Sequence, residues 1–328
     1  MILVCYGTRP EFLKLKPLIE KMRGVVPFKT LFTGQHIDLV SEKSDYRIEI
    51  ADAGNRLDSI VSSIMNSLDF TKENITMVLV QGDTTSAMSL ALSAFHHKIP
   101  VVHLEAGLRT YDLSQPYPEE ANRQIISRIA SVHLCPTDLS RRRLLEERIS
   151  GIVEVVGNTV LDNLINIKTQ KQKKVLVTMH RRENHENIKE WFFAIDALAQ
   201  KYFEYEFLLP IHPNPAVRRH SSIFKSIKVV ESMCYNKLIE YLSQCSYVIT
   251  DSGGIQEEAS FLKKPCLVCR KKTERVEGLN NFSLLCTSPT YISKQFEQLK
   301  KLKLKGDCPY GDGRAAEKIV KILRTMTI

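Results

Sequence analysis

The sequence predicts an α/β protein made of two doubly wound, parallel-sheet domains. Three observations lead there. The chain has 328 residues, more than the roughly 250–300 over which a single hydrophobic core usually grows. Short apolar runs alternate with amphipathic stretches along its whole length, the pattern of repeated βα units. The runs themselves are nearly continuous in apolar residues, as strands buried on both faces require.

In the first half, strands are predicted at residues 2–6, 76–80, 100–104, 132–135 and 152–156. A helix follows Pro10, carries Leu15, Leu18, Ile19 and Met22 on one stripe, and stops at Gly24. Further helices are predicted at 84–97, 118–130 and 139–148. The second half repeats the style, with strands at 175–179, 207–211, 227–230, 247–250 and 265–269 and helices at 187–201, 236–243 and 254–262. A polar, basic stretch closes residues 157–174 and marks the domain boundary. A last helix, 313–325, follows Tyr310-Gly311-Asp312-Gly313. Two such sheets facing each other would bind a ligand in the cleft between them.

Bulk properties narrow the class. No apolar run reaches the ~20 residues that span a bilayer, so no membrane partner is expected. The first strand is followed at once by Arg9 and Glu11, unlike a secretory segment, and the expected compartment is the cytoplasm. Most of the eight cysteines sit singly in apolar runs, where a free thiol packs as a small hydrophobe. Cys266 and Cys269 form a lone C-x-x-C without a second pair, so no metal site is expected. The net charge is +9. No nucleic-acid recognition motif accompanies it, and an excess of cations suits an anionic small molecule such as a nucleotide diphosphate.

Polar clusters close five of the predicted strands. They are Gly7-Thr8-Arg9-Pro10-Glu11, Gln81-Gly82-Asp83-Thr84, His103 to Arg109, His180-Arg181-Arg182-Glu183 and Asp251-Ser252-Gly253-Gly254. Open α/β sheets bind ligands at these carboxyl ends. Ser252-Gly253-Gly254 opens a helix, where glycines let a phosphate approach free N–H groups. Glu258, one turn later, can accept bonds from ribose hydroxyls. Tyr117-Pro118-Glu119-Glu120-Ala121-Asn122-Arg123 adds carboxylates at another helix start. Asp83, Glu105, Glu119 and His180 thus form a set of candidate acids and bases, as chemistry that moves protons on two faces of a sugar needs. Arg9, Lys14, Arg109, Arg181 and Arg275 are candidates to hold a diphosphate.

Together with Thr33-Gly34-Gln35-His36, Gly157-Asn158-Thr159, His212-Pro213-Asn214 and Thr273-Glu274-Arg275, these strings resemble the non-hydrolysing UDP-N-acetylglucosamine 2-epimerases. The resemblance runs over almost the whole chain. It implies the glycosyltransferase-B type of fold: Rossmann-like domains at 1–160 and 161–311, an active-site cleft between them, and a helix within 312–328 that crosses back to the first domain. It implies inversion at C2 of a UDP-linked 2-acetamido sugar, by default UDP-GlcNAc to UDP-ManNAc, through elimination of UDP to a glycal and its re-addition. A 6-deoxy-acetamido or diacetamido UDP-sugar is the alternative substrate; a hydrolysing epimerase and a glycosyltransferase are the alternative activities. No cofactor is needed, in keeping with the lack of G-x-G-x-x-G after the first strand. Matched motif by motif, Asp83, Glu105, Glu119, His180, Arg9 and Lys14 take the family's catalytic positions. His212, Ser252, Gly253, Gly254, Glu258 and Arg275 take its UDP-binding ones. The family is usually a homodimer. Bacterial members also bind a second UDP-GlcNAc through a glutamine pair; Gln35 matches one and Asp38 stands at the other. Tyr117 stands where tryptophan is common, Met179 where a small residue is, and Val276 where proline is.

Overall fold

The computed structural model describes residues 1–35, 43–52, 54–70 and 74–326; His36 and Asp38 lie outside them. The chain folds into two units, Met1–Asn163 with Gly311–Ile328, and Leu164–Tyr310.

In the first unit, β1 (Ile2–Tyr6), β2 (Phe28–Phe32), β3 (Tyr46–Arg47), β4 (Met77–Gln81), β5 (Val101–Leu104), β6 (Val132–Cys135) and β7 (Ile152–Val155) form one sheet in the order β3-β2-β1-β4-β5-β6-β7. All its pairings are parallel. The helices are α1 (Arg9–Met22), α2 (Arg56–Ser67), α3 (Thr85–His96), α4 (Glu119–Ile129) and α5 (Asp138–Glu146). The strands β1, β4, β5 and β6 are buried throughout, which is why their sequences are unbroken apolar runs. Sequence periodicity missed β2, β3 and α2. In β2, Lys29 and Thr30 interrupt the apolar run, β3 is two residues long, and α2 buries only Ser59, Ile60 and Ile64.

In the second unit, β8 (Lys174–Thr178), β9 (Glu206–Pro210), β10 (Lys228–Val230), β11 (Tyr247–Thr250), β12 (Cys266–Cys269) and β13 (Ser283–Cys286) form a parallel sheet ordered β10-β9-β8-β11-β12-β13. Its helices are α6 (Ile188–Lys201), α7 (Pro215–Arg218), α8 (Tyr235–Gln244), α9 (Gly253–Phe261) and α10 (Ile292–Lys301). Trp191, Phe192, Phe207 and Phe296 fill the core under α6 and α10, each worth about 1.5–3 kcal/mol of transfer free energy. β13, α7 and α10 were not anticipated. Yet Ile292, Phe296 and Leu299 of α10 repeat at i, i+4 and i+7, a stripe hidden among its lysines.

The last helix, α11 (Ala315–Met326), belongs to the first unit. Ala316, Ile319 and Leu323 join Leu15, Leu18 and Met22 of α1 in one core. Asp162 caps it: its carboxylate accepts from the backbone N–H of Ala315 at 3.1 Å and of Ala316 at 2.9 Å, satisfying donors that every helix start leaves open. Among the described residues no helix is long and apolar enough to cross a membrane.

Candidate active site

A doubly wound sheet reverses its strand order at one point, and the loops that leave it in opposite directions open a crevice at the carboxyl ends of the strands. In the first unit the reversal lies between β1 and β4; in the second it lies between β8 and β11. The loops leaving those four strands are four of the five polar clusters of the sequence; the fifth, with Glu105, follows the neighbouring β5.

In the first unit, Gly7 and Thr8 turn the chain from β1 into α1. Glu11 locks the turn, accepting from Gly7 N at 3.0 Å and Thr8 N at 2.7 Å, while Thr84 donates to its other oxygen at 2.7 Å. Burial raises the Glu11 pKa and these bonds oppose the rise. Gly7 admits no side chain, since a Cβ there would stand 2.3 Å from Thr33 Oγ1. The loop after β1 is thereby tied to the loop after β4. Arg9 sits exposed in the first turn of α1. Lys14, one turn on, reaches Glu105, its Nζ 2.7 and 2.5 Å from the two carboxylate oxygens. Glu105 lies just past β5 with φ +65°, a conformation most residues avoid. Gln81 and Asn158 also donate to its carboxylate, Asn158 at 3.2 Å. Asp83 faces Arg123, with Nη2 at 2.6 Å and Nε at 2.8 Å from Oδ2, and Asn122 holds its backbone carbonyl at 2.9 Å. Beneath this turn, buried His103 bonds through Nε2 to Gly82 O at 2.8 Å. The carbonyl can only accept, so Nε2 carries the proton. Burial pushes the His103 pKa down to about 3, which keeps the ring neutral. Glu119 opens α4 as its first residue, where a carboxylate suits the positive end of the helix dipole.

In the second unit, Asp251 follows β11 and gathers the chain that leaves β8. Its carboxylate accepts from His180 N at 2.9 Å, Arg181 N at 2.8 Å and Asn184 Nδ2 at 3.0 Å. The His180 ring stacks on that of His212, with centroids 5.2 Å apart and planes 14° from parallel. Its pKa is lowered, mainly by desolvation, against the pull of Asp251. Ser252 caps α9 and its side chain makes no capping bond there. Gly253 packs against the Arg275 guanidinium, and a Cβ there would lie 2.8 Å from Cζ. A Cβ on Gly254 would meet nothing within 4 Å. Arg275 Nε bonds Glu257 at 2.9 Å and its Nη1 bonds Glu274. Arg270 joins Glu274 at 2.9 Å to Glu183 at 2.6 Å. This chain of alternating charge, buried except at Glu183, braces the glycine turn from below. Glu258 is buried on α9.

Two of the arginines expected on the substrate have partners in the fold. Arg109, expected on phosphate or sugar, is buried; its Nε and Nη2 donate to the Glu147 carboxylate at 2.8 and 2.9 Å, Nη2 also to Ser127 Oγ and Nη1 to Leu108 O. Arg275, expected on UDP, is buried too, and the bonds just described set its guanidinium under the turn. Gln81, Asn158, Asn122, Arg123, Asp251 and Arg270 also belong to these networks, Asn122 and Arg123 from the first turns of α4 and the others from positions at or near strand ends. A carboxylate taken out of water must find donors, and a donor must find a carboxylate; that demand is the signal in the sequence.

The sequence profile of the UDP-N-acetylglucosamine 2-epimerase family matches residues 24–324. The chain is 37% identical over 368 aligned residues to the UDP-N-acetylglucosamine 2-epimerase of Neisseria meningitidis, covering 98% of each sequence. A crystal structure of a Neisseria meningitidis UDP-GlcNAc 2-epimerase bound to UDP-GlcNAc superposes with TM-score 0.89 at 34% identity, covering 99% of each chain. A glycosyltransferase of Streptomyces nogalater, at 17% identity, TM-score 0.57 and 98% of each chain, shares the fold.

Proposed function

The chain belongs to the UDP-N-acetylglucosamine 2-epimerase family, and from that membership we propose that it is a non-hydrolysing isomerase inverting C2 of a UDP-linked 2-acetamido sugar, with UDP-GlcNAc as the default substrate. The observation that carries the reading is Glu105, held past β5 in a left-handed conformation with Lys14, Gln81 and Asn158 on its carboxylate. Structural glutamates rarely gather an ammonium and two amides at a strained backbone position. Asp83 and Arg123 repeat the theme one loop away.

The chemistry follows from these groups. A base takes the C2 proton. The C–H electrons form the C1=C2 bond of a glycal while the C1–O bond breaks and its electrons leave with the UDP β-phosphate. UDP then attacks C1 again as a proton reaches C2 from the opposite face. Two opposed faces need two proton-transfer groups, and Asp83, Glu105, Glu119 and His180 supply them, the last neutral because its pKa is lowered. Positioned acid–base groups contribute about 10²–10⁴ in rate. The departing diphosphate is met by the N–H groups of Gly253 and Gly254 at the start of α9 and by Arg9 and Arg181. Glu258 takes the ribose, His212 lies against the nucleotide, and the protein acts as a homodimer.

The test is proton NMR of the protein with UDP-GlcNAc in D₂O. Deuterium at C2 together with a UDP-ManNAc signal is the expected result. Free ManNAc and UDP would make it a hydrolysing enzyme. Unchanged UDP-GlcNAc in a protein that binds UDP would move the substrate to a 6-deoxy or diacetamido UDP-sugar. Light scattering checks the dimer.

A further inference from the structure

We propose that Asp251 is a positioning residue that holds His180 with its ring proton on Nδ1 and its lone pair on Nε2, while His212, stacked on it, holds the opposite arrangement. The inference rests on the reading of His180 as a catalytic group.

Asp251 is fully buried. An ionised carboxylate can only accept, and that of Asp251 accepts from His180 N, Arg181 N and Asn184 Nδ2. Its Oδ1 also lies 3.5 Å from His180 Nδ1. A lone pair on Nδ1 would face a carboxylate oxygen across that gap and be repelled. A proton there is attracted, so the Nδ1–H tautomer is the one the site favours. At His212 the donor is fixed the other way. Asn214 N donates to His212 Nδ1 at 3.1 Å, which leaves the His212 proton on Nε2.

Two rings 5.2 Å apart and nearly parallel therefore offer one basic Nε2 and one Nε2–H donor. One substrate can use both: His180 takes a proton or a hydrogen bond, and becomes an imidazolium that Asp251 stabilises, while His212 donates to an oxygen. Asp251 directly precedes Ser252, the cap of α9. The same carboxylate thus sets the imidazole in register with the glycine turn.

The test needs no turnover. Long-range ¹H–¹⁵N NMR of ring-labelled full-length protein, with His180→Asn to assign the signals, reads both tautomers directly. Nδ1–H on His180 and Nε2–H on His212 are expected. In Asp251→Asn the His180 preference is lost, kcat falls about 100-fold and UDP affinity is retained. The acidic limb of the kcat profile moves to lower pH, because the Asp251 charge that raised the His180 pKa is gone. Nε2–H on His180 in the wild type, or an unchanged tautomer in Asp251→Asn, overturns the proposal. Should Asp251→Asn not fold, the wild-type tautomer alone decides. A wild type that turns over no UDP-sugar, yet shows both expected tautomers and loses one in Asp251→Asn, would end the reading of the reaction and leave the positioning intact.

Discussion

The two units share an architecture and differ in charge. The first holds 22 lysines and arginines against 22 aspartates and glutamates; the second holds 24 against 15. The whole net charge of the chain therefore belongs to the second unit. The difference fits a division of labour. In the first unit cations are matched to carboxylates at strand ends, as Lys14 is to Glu105 and Arg123 to Asp83, which suits proton transfer. In the second, buried arginines brace a glycine turn at a helix start in a unit of net positive charge, which suits holding a diphosphate.

The sharpest way to break that division is to neutralise the first unit's carboxylates. Asp83→Asn and Glu105→Gln should each lower kcat by about 10²–10⁴ and leave UDP affinity intact by titration calorimetry. Loss of UDP binding in Asp83→Asn would put nucleotide recognition in the first unit and dissolve the comparison.

Acid should also tell the units apart. His103 is buried beneath the Asp83 turn with its pKa pushed down to about 3, against about 6.5 in an unfolded chain. Above the unfolded value it is neutral in both states and its contribution is fully present. As pH falls below that value the unfolded chain takes up the proton first, and stability is lost progressively down to about 3, by on the order of 5 kcal/mol. Urea unfolding at a series of pH values should show this slope, and His103→Phe should flatten it. An unchanged slope in the variant would remove His103 as the cause.

Arg109 tests the first unit from the structural side. Arg109→Leu strands Glu147 beside a half-polar gap and should cost about 3 kcal/mol, as breaking a buried pair from one side does, read as a lower urea midpoint. KM for the UDP-sugar should hold. A raised KM with normal stability would return Arg109 to the substrate.

The difference between what was and was not readable in the sequence follows the same physics. Strands β1, β4, β5, β6 and β11 were legible because burial on both faces demands unbroken apolar runs. β2 and α10 were not, because half-exposed elements mix lysine into their pattern. The motif glycines and carboxylates were legible because backbone geometry and chemistry restrict those residue types. The Glu147 partner of Arg109, 38 positions away, was not legible, because sequence does not say which carboxylate the fold brings to a cation. Asp251 and Asn158 were underread for the converse reason: their roles lie in which donors the fold brings to them.

The smallest effect separates the two glycines of the turn. Gly253→Ala places a methyl carbon 2.8 Å from Arg275 Cζ, and the guanidinium cannot withdraw because Glu257 and Glu274 hold it. The turn must shift, so both Tm and UDP affinity should fall, the latter by about tenfold, or 1.4 kcal/mol. Gly254→Ala meets no neighbour within 4 Å, and alanine in a helix is favoured over glycine by roughly 0.5–1 kcal/mol, so Tm should hold or rise. Its methyl nonetheless stands on the first turn of α9, where an anion would approach the N–H groups, so UDP affinity should drop while stability does not. That split, stability lost at one glycine and kept at the next with binding weakened at both, is what a phosphate-holding turn braced from one side requires. Equal tolerance of UDP binding to both alanines would mean that the turn does not hold the nucleotide, and that the positive charge of the second unit serves some other anion.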